Sequence, residues 1–269
     1  WKNRVWAADA ADPRLLWYSQ EVLPELGGIN SLPPEWNPSL TFRVDEVGRI
    51  TALQSMDNML VLFTDRGIYT ITGEGADSTG QNTSLQLTQS SLGTGCIEPR
   101  SIVLTPIGIF FQSLKGLYLF SRTGSLEYLD FGANVEDVVT TGGNIRAATL
   151  LEDRHEVRFV TNSAVAGGPL LLIYDYQHDL WSTAPLANGD LPGGSTWMSS
   201  TAGGTHWRGT AREDLHVVLQ QGAILVERAP TDAAAYQDQD RNSSDPIYLD
   251  IETERIQLDG IAGFQRIRM

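Results

Sequence analysis

The 269-residue sequence predicts an all-β fold, on three observations. Short apolar runs alternate with Gly-, Pro- and Asp-containing breaks along most of the chain. Almost no stretch keeps a helical period. One hairpin pattern also returns at a near-constant spacing. Its plainest copies are MLVLFTDRGIYTITGEG at 59–75 and IGIFFQSLKGLYLFSRTG at 107–124. In each, two apolar runs flank a short polar break that ends in Gly67 or Gly116.

The elements follow in chain order. RVWAADAADPRLLWYS (4–19) reads as the first hairpin, with a Pro-containing turn. RITAL (49–53) is a strand ahead of the second hairpin, and SIVLT (101–105) one ahead of the third. SLEYL (125–129) follows that third hairpin. IRAATLL (145–151), EVRFVTNSAVAGGPLLLIYDY (156–176) and LWSTA (180–184) repeat the plan with a longer Gly-rich loop. LHVVLQQGAILVE (215–227) is the fifth hairpin. Aligning the second strands gives the landmarks Tyr18, Tyr69, Tyr118, Tyr174 and Leu225, spaced by 51, 49, 56 and 51 residues. The SAVAGG insertion accounts for the long interval.

Four antiparallel strands in about fifty residues is the size of a propeller blade. A lone meander cannot bury both of its faces, whereas stacked meanders can. The expectation is therefore a β-propeller with five blades legible and room for a sixth. Val61, Phe63, Ile68, Tyr69, Phe110, Phe111, Leu117 and Tyr118 would fill the layers between blades. Gly67, Gly116 and Gly222 would end the hairpin turns with positive φ. The blades occupy 1–230, a polar linker 231–244, and further strands 245–269 that close the propeller or begin another β segment. The first blade lacks a leading strand, and the chain reads as a fragment of a longer one.

Composition narrows the function classes. The balance of 19 basic against 33 acidic residues, a net −14, disfavours a phosphate-gripping surface. It disfavours an anionic membrane face as well, and no apolar run is long enough for a membrane span. The single Cys96 excludes an internal disulfide and reads as a buried or half-buried thiol.

No constellation of catalytic residues stands out. His155, His178, His206 and His216 lack metal-ligand spacing, and no nucleophile elbow accompanies them. His178 falls in a turn with Asp175 and Asp179. GEGADSTG (73–80) lacks the Lys and Ser/Thr of a phosphate loop. DQDRN (238–242) alternates oxygen ligands but lacks the Gly and closing Glu of a calcium loop. Trp6, Trp17 and Trp181 read as core, Trp36 and Trp207 as loop residues. No catalytic, cofactor-binding or metal residue is assigned, and no cofactor is expected.

Residues 47–75, VGRITALQSMDNMLVLFTDRGIYTITGEG, resemble a segment of the tail proteins of short-tailed bacteriophages, the nozzle, hub or packaged-DNA stabilisation proteins. TPIGIFFQSLKGLY (105–118), YDYQHDLW (174–181) and the C-terminal GFQRIR fit the same pattern. The resemblance runs from about residue 4 to the end, and its motifs bear the fold rather than chemistry. It implies a virion structural protein, not an enzyme, in a homo-oligomeric ring of six copies. The ring would adjoin the portal, adaptor and other tail proteins. Genome DNA would pass through it, retained and then ejected, without specific binding. Acids lining such a bore would repel phosphates and keep the strand sliding. The alternatives are a host-facing adhesion or carbohydrate-binding propeller and, behind it, a propeller glycosidase working through two carboxylates.

Overall fold

The computed structural model describes residues 1–21, 36–44, 48–76, 83–129, 144–163 and 168–185, together with the backbone of five short strands after residue 203. The described chain is all-β. The strands, in order, are β1 (Trp6–Ala8), β2 (Leu15–Ser19), β3 (Trp36–Arg43), β4 (Ile50–Met56), β5 (Met59–Thr64), β6 (Gly67–Thr72) and β7 (Gln86–Leu92). Then come β8 (Glu98–Leu104), β9 (Gly108–Ser113), β10 (Gly116–Ser121), β11 (Leu126–Tyr128), β12 (Asn144–Leu151), β13 (Glu156–Ser163), β14 (Gly168–Asp175) and β15 (Leu180–Pro185). The last five are β16 (Gly204–Arg208), β17 (Glu213–Val218), β18 (Ile224–Val226), β19 (Gln237–Gln239) and β20 (Ser244–Pro246).

These strands pair as consecutive antiparallel meanders. The second, third and fourth sheets run β4-β5-β6-β7, β8-β9-β10-β11 and β12-β13-β14-β15. The first sheet, β1-β2-β3, lacks a strand ahead of β1, and the fifth is β16-β17-β18. These five sheets belong to one compact unit, Trp1–Asn188 with Thr196–Val226. A second unit, Gly189–Ser195 with Glu227–Met269, contains the pair β19-β20. That pair begins inside the stretch expected to be a polar linker.

Alternation explains why the hairpins read as unbroken apolar runs. Both faces of a central sheet are covered, so both phases of the period-two pattern must be apolar. Leu60 and Leu62 join Leu16, Val44, Tyr69 and Ile71 between the first and second sheets. Val61 and Phe63, one step out of phase, join Met56, Ile68, Cys96, Ile109, Phe111 and Phe120 between the second and third. Phe110 turns the other way. It packs with Leu117, Leu119, Ile145, Val157, Phe159, Leu172 and Tyr174 between the third and fourth. Every residue of β9 is buried. The residues expected to fill these layers do so, with Tyr118 only half-buried at the rim of the second layer.

The five landmarks all lie on the strand that closes a hairpin, namely β2, β6, β10, β14 and β18. The long interval reflects a longer hairpin, since β13 and β14 have 8 residues each where β9 and β10 have 6. Strands β3, β7 and β16 went unread in the sequence. QLTQSSL (β7) is polar and mostly exposed, the outermost strand of its sheet, so it carries no apolar signal. Trp36 and Trp207, expected in loops, stand on β3 and β16.

The turn glycines divide. Gly116 has φ 126°, as expected. Gly67 is not among the positive-φ residues. Its turn is instead held by Thr64, whose Oγ1 accepts from Gly67 N at 2.8 Å and donates to Gly67 O at 3.0 Å. Gly222 lies outside the described residues.

Candidate functional site

The first strands of successive sheets are neighbours: β4 lies beside β8, β8 beside β12 and β12 beside β16. The outer strands β7, β11 and β15 show no comparable proximity among the described residues. The sheets therefore converge along their first strands and spread apart at their last. Among the described residues, this convergent edge brings together strands of four sheets.

Its chemistry is largely neutral. β4 contributes Thr51, Gln54 and Ser55, β8 contributes Glu98 and Arg100, and β12 contributes Asn144 and Arg146. Across these three strands one acid faces two arginines in the count. Pairing slips near the start of each, between Ile50 and Ala52, Glu98 and Val103, and Ile145 and Ala147. Such irregularities bend a strand and re-aim its side chains. Across the gap between sheets, Gln112 of β9 is buried and its Oε1 accepts from Ile145 N at 2.8 Å.

Among the described residues most acids lie instead in the connections. Asp9 and Asp12 sit between β1 and β2, Asp57 between β4 and β5, Asp65 between β5 and β6, and Asp175 and Asp179 at the β14–β15 turn. Most are engaged locally. Asp9 accepts from the backbone of Asp12 and Ala11 and, at 2.8 Å, from Trp17 Nε1, which lowers its pKa. Arg122, in the β10–β11 turn, reaches across to Asp57 of the previous sheet and donates to Thr105 O at 2.9 Å. Lys2 pairs with Glu74 beside an open cleft that Arg4, Glu21 and Ala76 also line. The buried Arg4 guanidinium donates to the main-chain oxygens of Ser19 and Ala76, tying the first sheet to the segment after β6.

The histidine turn is structural in form. Asp175 Oδ1 accepts from the backbone N–H groups of Gln177 and His178, and Oδ2 lies 2.7 Å from His178 Nδ1. The bond with His178 leads the causes that lower the Asp175 pKa. Tyr174 donates to Asp179 Oδ1 at 2.7 Å, and Asp179 takes a left-handed φ of 56°. Burial, then that carboxylate, pushes the Tyr174 hydroxyl pKa up. Trp181 stacks on Tyr174 at 4.6 Å. The YDYQHDLW motif thus assembles a turn and its packing. His155 caps a short 3-10 turn after β12 and meets Tyr176 edge-on. His206 and His216 fall on β16 and β17.

Cys96 is buried and free, donating to Glu98 O at 3.3 Å. Desolvation pushes its pKa up to about 12, the opposite of an activated thiol. Of the GEGADSTG loop, residues 73–76 are described and 77–80 lie outside. DQDRN is described only at Asp238 and Gln239, on β19. Among the described residues no group of three or more His, Cys, Asp or Glu could hold a metal ion. No helix there is long and apolar enough to cross a membrane. Sequence reasoning passed over Arg4, Arg122 and Arg146, because an isolated arginine at a turn or bulge has no periodic signature. No family model matches the chain, and no curated protein matches it.

Proposed function

We propose that the chain forms blades of a β-propeller within a nozzle or hub ring of a short bacteriophage tail. In this role it is a structural conduit: copies assemble into a ring, adjoin the portal, adaptor and tail proteins, and let genome DNA through. The observation that carries the proposal is the placement of the resembling segments. Residues 47–75 span β4, β5 and β6, residues 105–118 span β9 and enter β10, and 174–181 join β14 to β15. Each supplies side chains to the layers between sheets, so the resemblance follows the recurring architecture rather than one isolated loop. The convergence of first strands and spreading of last strands is the geometry radial blades require.

The charge supports a conduit in a modified form. Most of the described acids lie in the connections at the ends of the strands, and the convergent strands themselves are nearly neutral. Any repulsion of DNA would therefore come from strand ends facing the ring's bore. Electron microscopy of the purified protein tests the proposal. A homo-oligomeric ring with an axial channel of at least about 20 Å, the scale of a duplex, is expected. A monodisperse monomer that binds glycans on an array would overturn it in favour of the adhesion alternative.

A further inference from the structure

We infer that the bulge of β12 is an oxyanion site built on Arg146. Arg146 is half-buried, and its Nε is a buried donor that finds no hydrogen-bond partner among the described residues. The buried guanidiniums of Arg4 and Arg158 are served, Arg4 by two main-chain oxygens and Arg158 by Glu156. An orphaned buried donor in a folded protein calls for an explanation. Arginine narrows that explanation, because its guanidinium cannot shed its charge near neutral pH as a buried lysine or histidine can. A neutral acceptor satisfies the N–H but does nothing for the fixed positive charge. An oxyanion satisfies both.

The local backbone points the same way. Pairing between β12 and β13 slips at this residue: Ile145 faces Thr161 and Ala147 faces Val160, leaving Arg146 without a cross-strand partner. Ile145 N is turned to Gln112 of the preceding sheet. The bulge therefore frees Arg146 from the ladder on a strand flanked by the first strands β8 and β16. β8 adds the exposed Arg100, so the balance on β8 and β12 together is positive within a chain of net −14. A carboxylate or a phosphate presents the shared chemistry: a planar or tetrahedral oxyanion whose oxygen accepts the Nε proton, with a second oxygen available to the guanidinium's other N–H groups.

Thermal unfolding of the intact chain at constant ionic strength tests this, in chloride, in inorganic phosphate and in acetate. Phosphate should raise the unfolding midpoint along a saturating curve, as mass action requires of a ligand bound to the folded state. Acetate distinguishes the sources: a matching saturable rise identifies a carboxylate site, and its absence restricts the site to phosphate. Arg146→Met should keep only the shallow, unsaturable rise that excluded anions give any protein. If Arg146→Met does not fold, Arg146→Lys, which retains charge but has no Nε–H fork, should weaken the apparent phosphate affinity at least tenfold. Wild-type protein with no saturable response to either anion, or a variant that responds as the wild type does, overturns the inference.

Discussion

Phe111 is fully buried against Phe63, ring centroids 5.1 Å apart, in the layer between the second and third sheets. Phe111→Ala should cost about 3–5 kcal/mol in denaturant unfolding, because neighbouring sheets cannot close the space. Gly116→Val should cost more than about 1 kcal/mol, since φ 126° strains a β-branched residue. A Cβ there would also approach Tyr128 Cε2 to 2.9 Å. Cys96 should resist thiol reagents at pH 8 and react on unfolding. Its folded pKa is raised to about 12. The associated stabilisation is complete below the unfolded thiol's pKa of about 8.5 and is lost as pH rises above it. These side chains were legible because burial in a two-faced sheet writes itself into apolar runs. Gly67 was misread because glycine at a turn signals either a left-handed φ or close packing, and sequence does not distinguish them.

At the scale of elements, strands buried on both faces announced themselves, and outer strands did not. β5, β6, β9 and β10 are apolar in both phases, whereas β7 and β3 face largely outward. The turns carry the tests here. Arg122→Ala removes the link from the third sheet to Asp57 of the second and should cost about 1–2 kcal/mol. Asp57→Asn alone should reproduce only a small part of that loss, because the bond from Arg122 to Thr105 O remains, and a double-mutant cycle measures the split. The β14–β15 turn should weaken in acid. The Asp175 pKa is lowered in the fold, chiefly by the bond with His178. Its contribution is present above the ordinary aspartate value of about 3.9 and lost as pH falls through the lower folded value. Hydrogen exchange at Gln177 and His178 should rise over that acid range, and Asp175→Asn should abolish the dependence.

For the whole molecule, the repeat was legible because a period near fifty survives substitution at individual positions. The chemistry of the convergent edge was not, since nothing in a strand's composition says which edge meets its neighbour. Placing the acids in the connections alters what the conduit proposal predicts. The isolated chain should show no measurable affinity for duplex DNA at physiological salt in a mobility-shift assay, because clustered cations are absent from the described surface. Tight, salt-sensitive binding would contradict a sliding conduit, because a gripped strand leaves slowly.

Because each sheet is drawn from one contiguous stretch of chain, neighbours meet mainly through side-chain layers, with no strand exchanged among the second, third and fourth sheets. Mechanical load applied at the two chain ends should therefore peel the molecule in instalments. A single-molecule pulling trace should show a staircase, each step releasing one sheet of about 30–45 residues, roughly 100–155 Å of contour length. The third-sheet step should be the shortest of the three, since that sheet spans Glu98–Tyr128 against Ile50–Leu92 for the second and Asn144–Pro185 for the fourth. If the chain is the ring component proposed above, internal genome pressure would make it yield one sheet at a time rather than all at once.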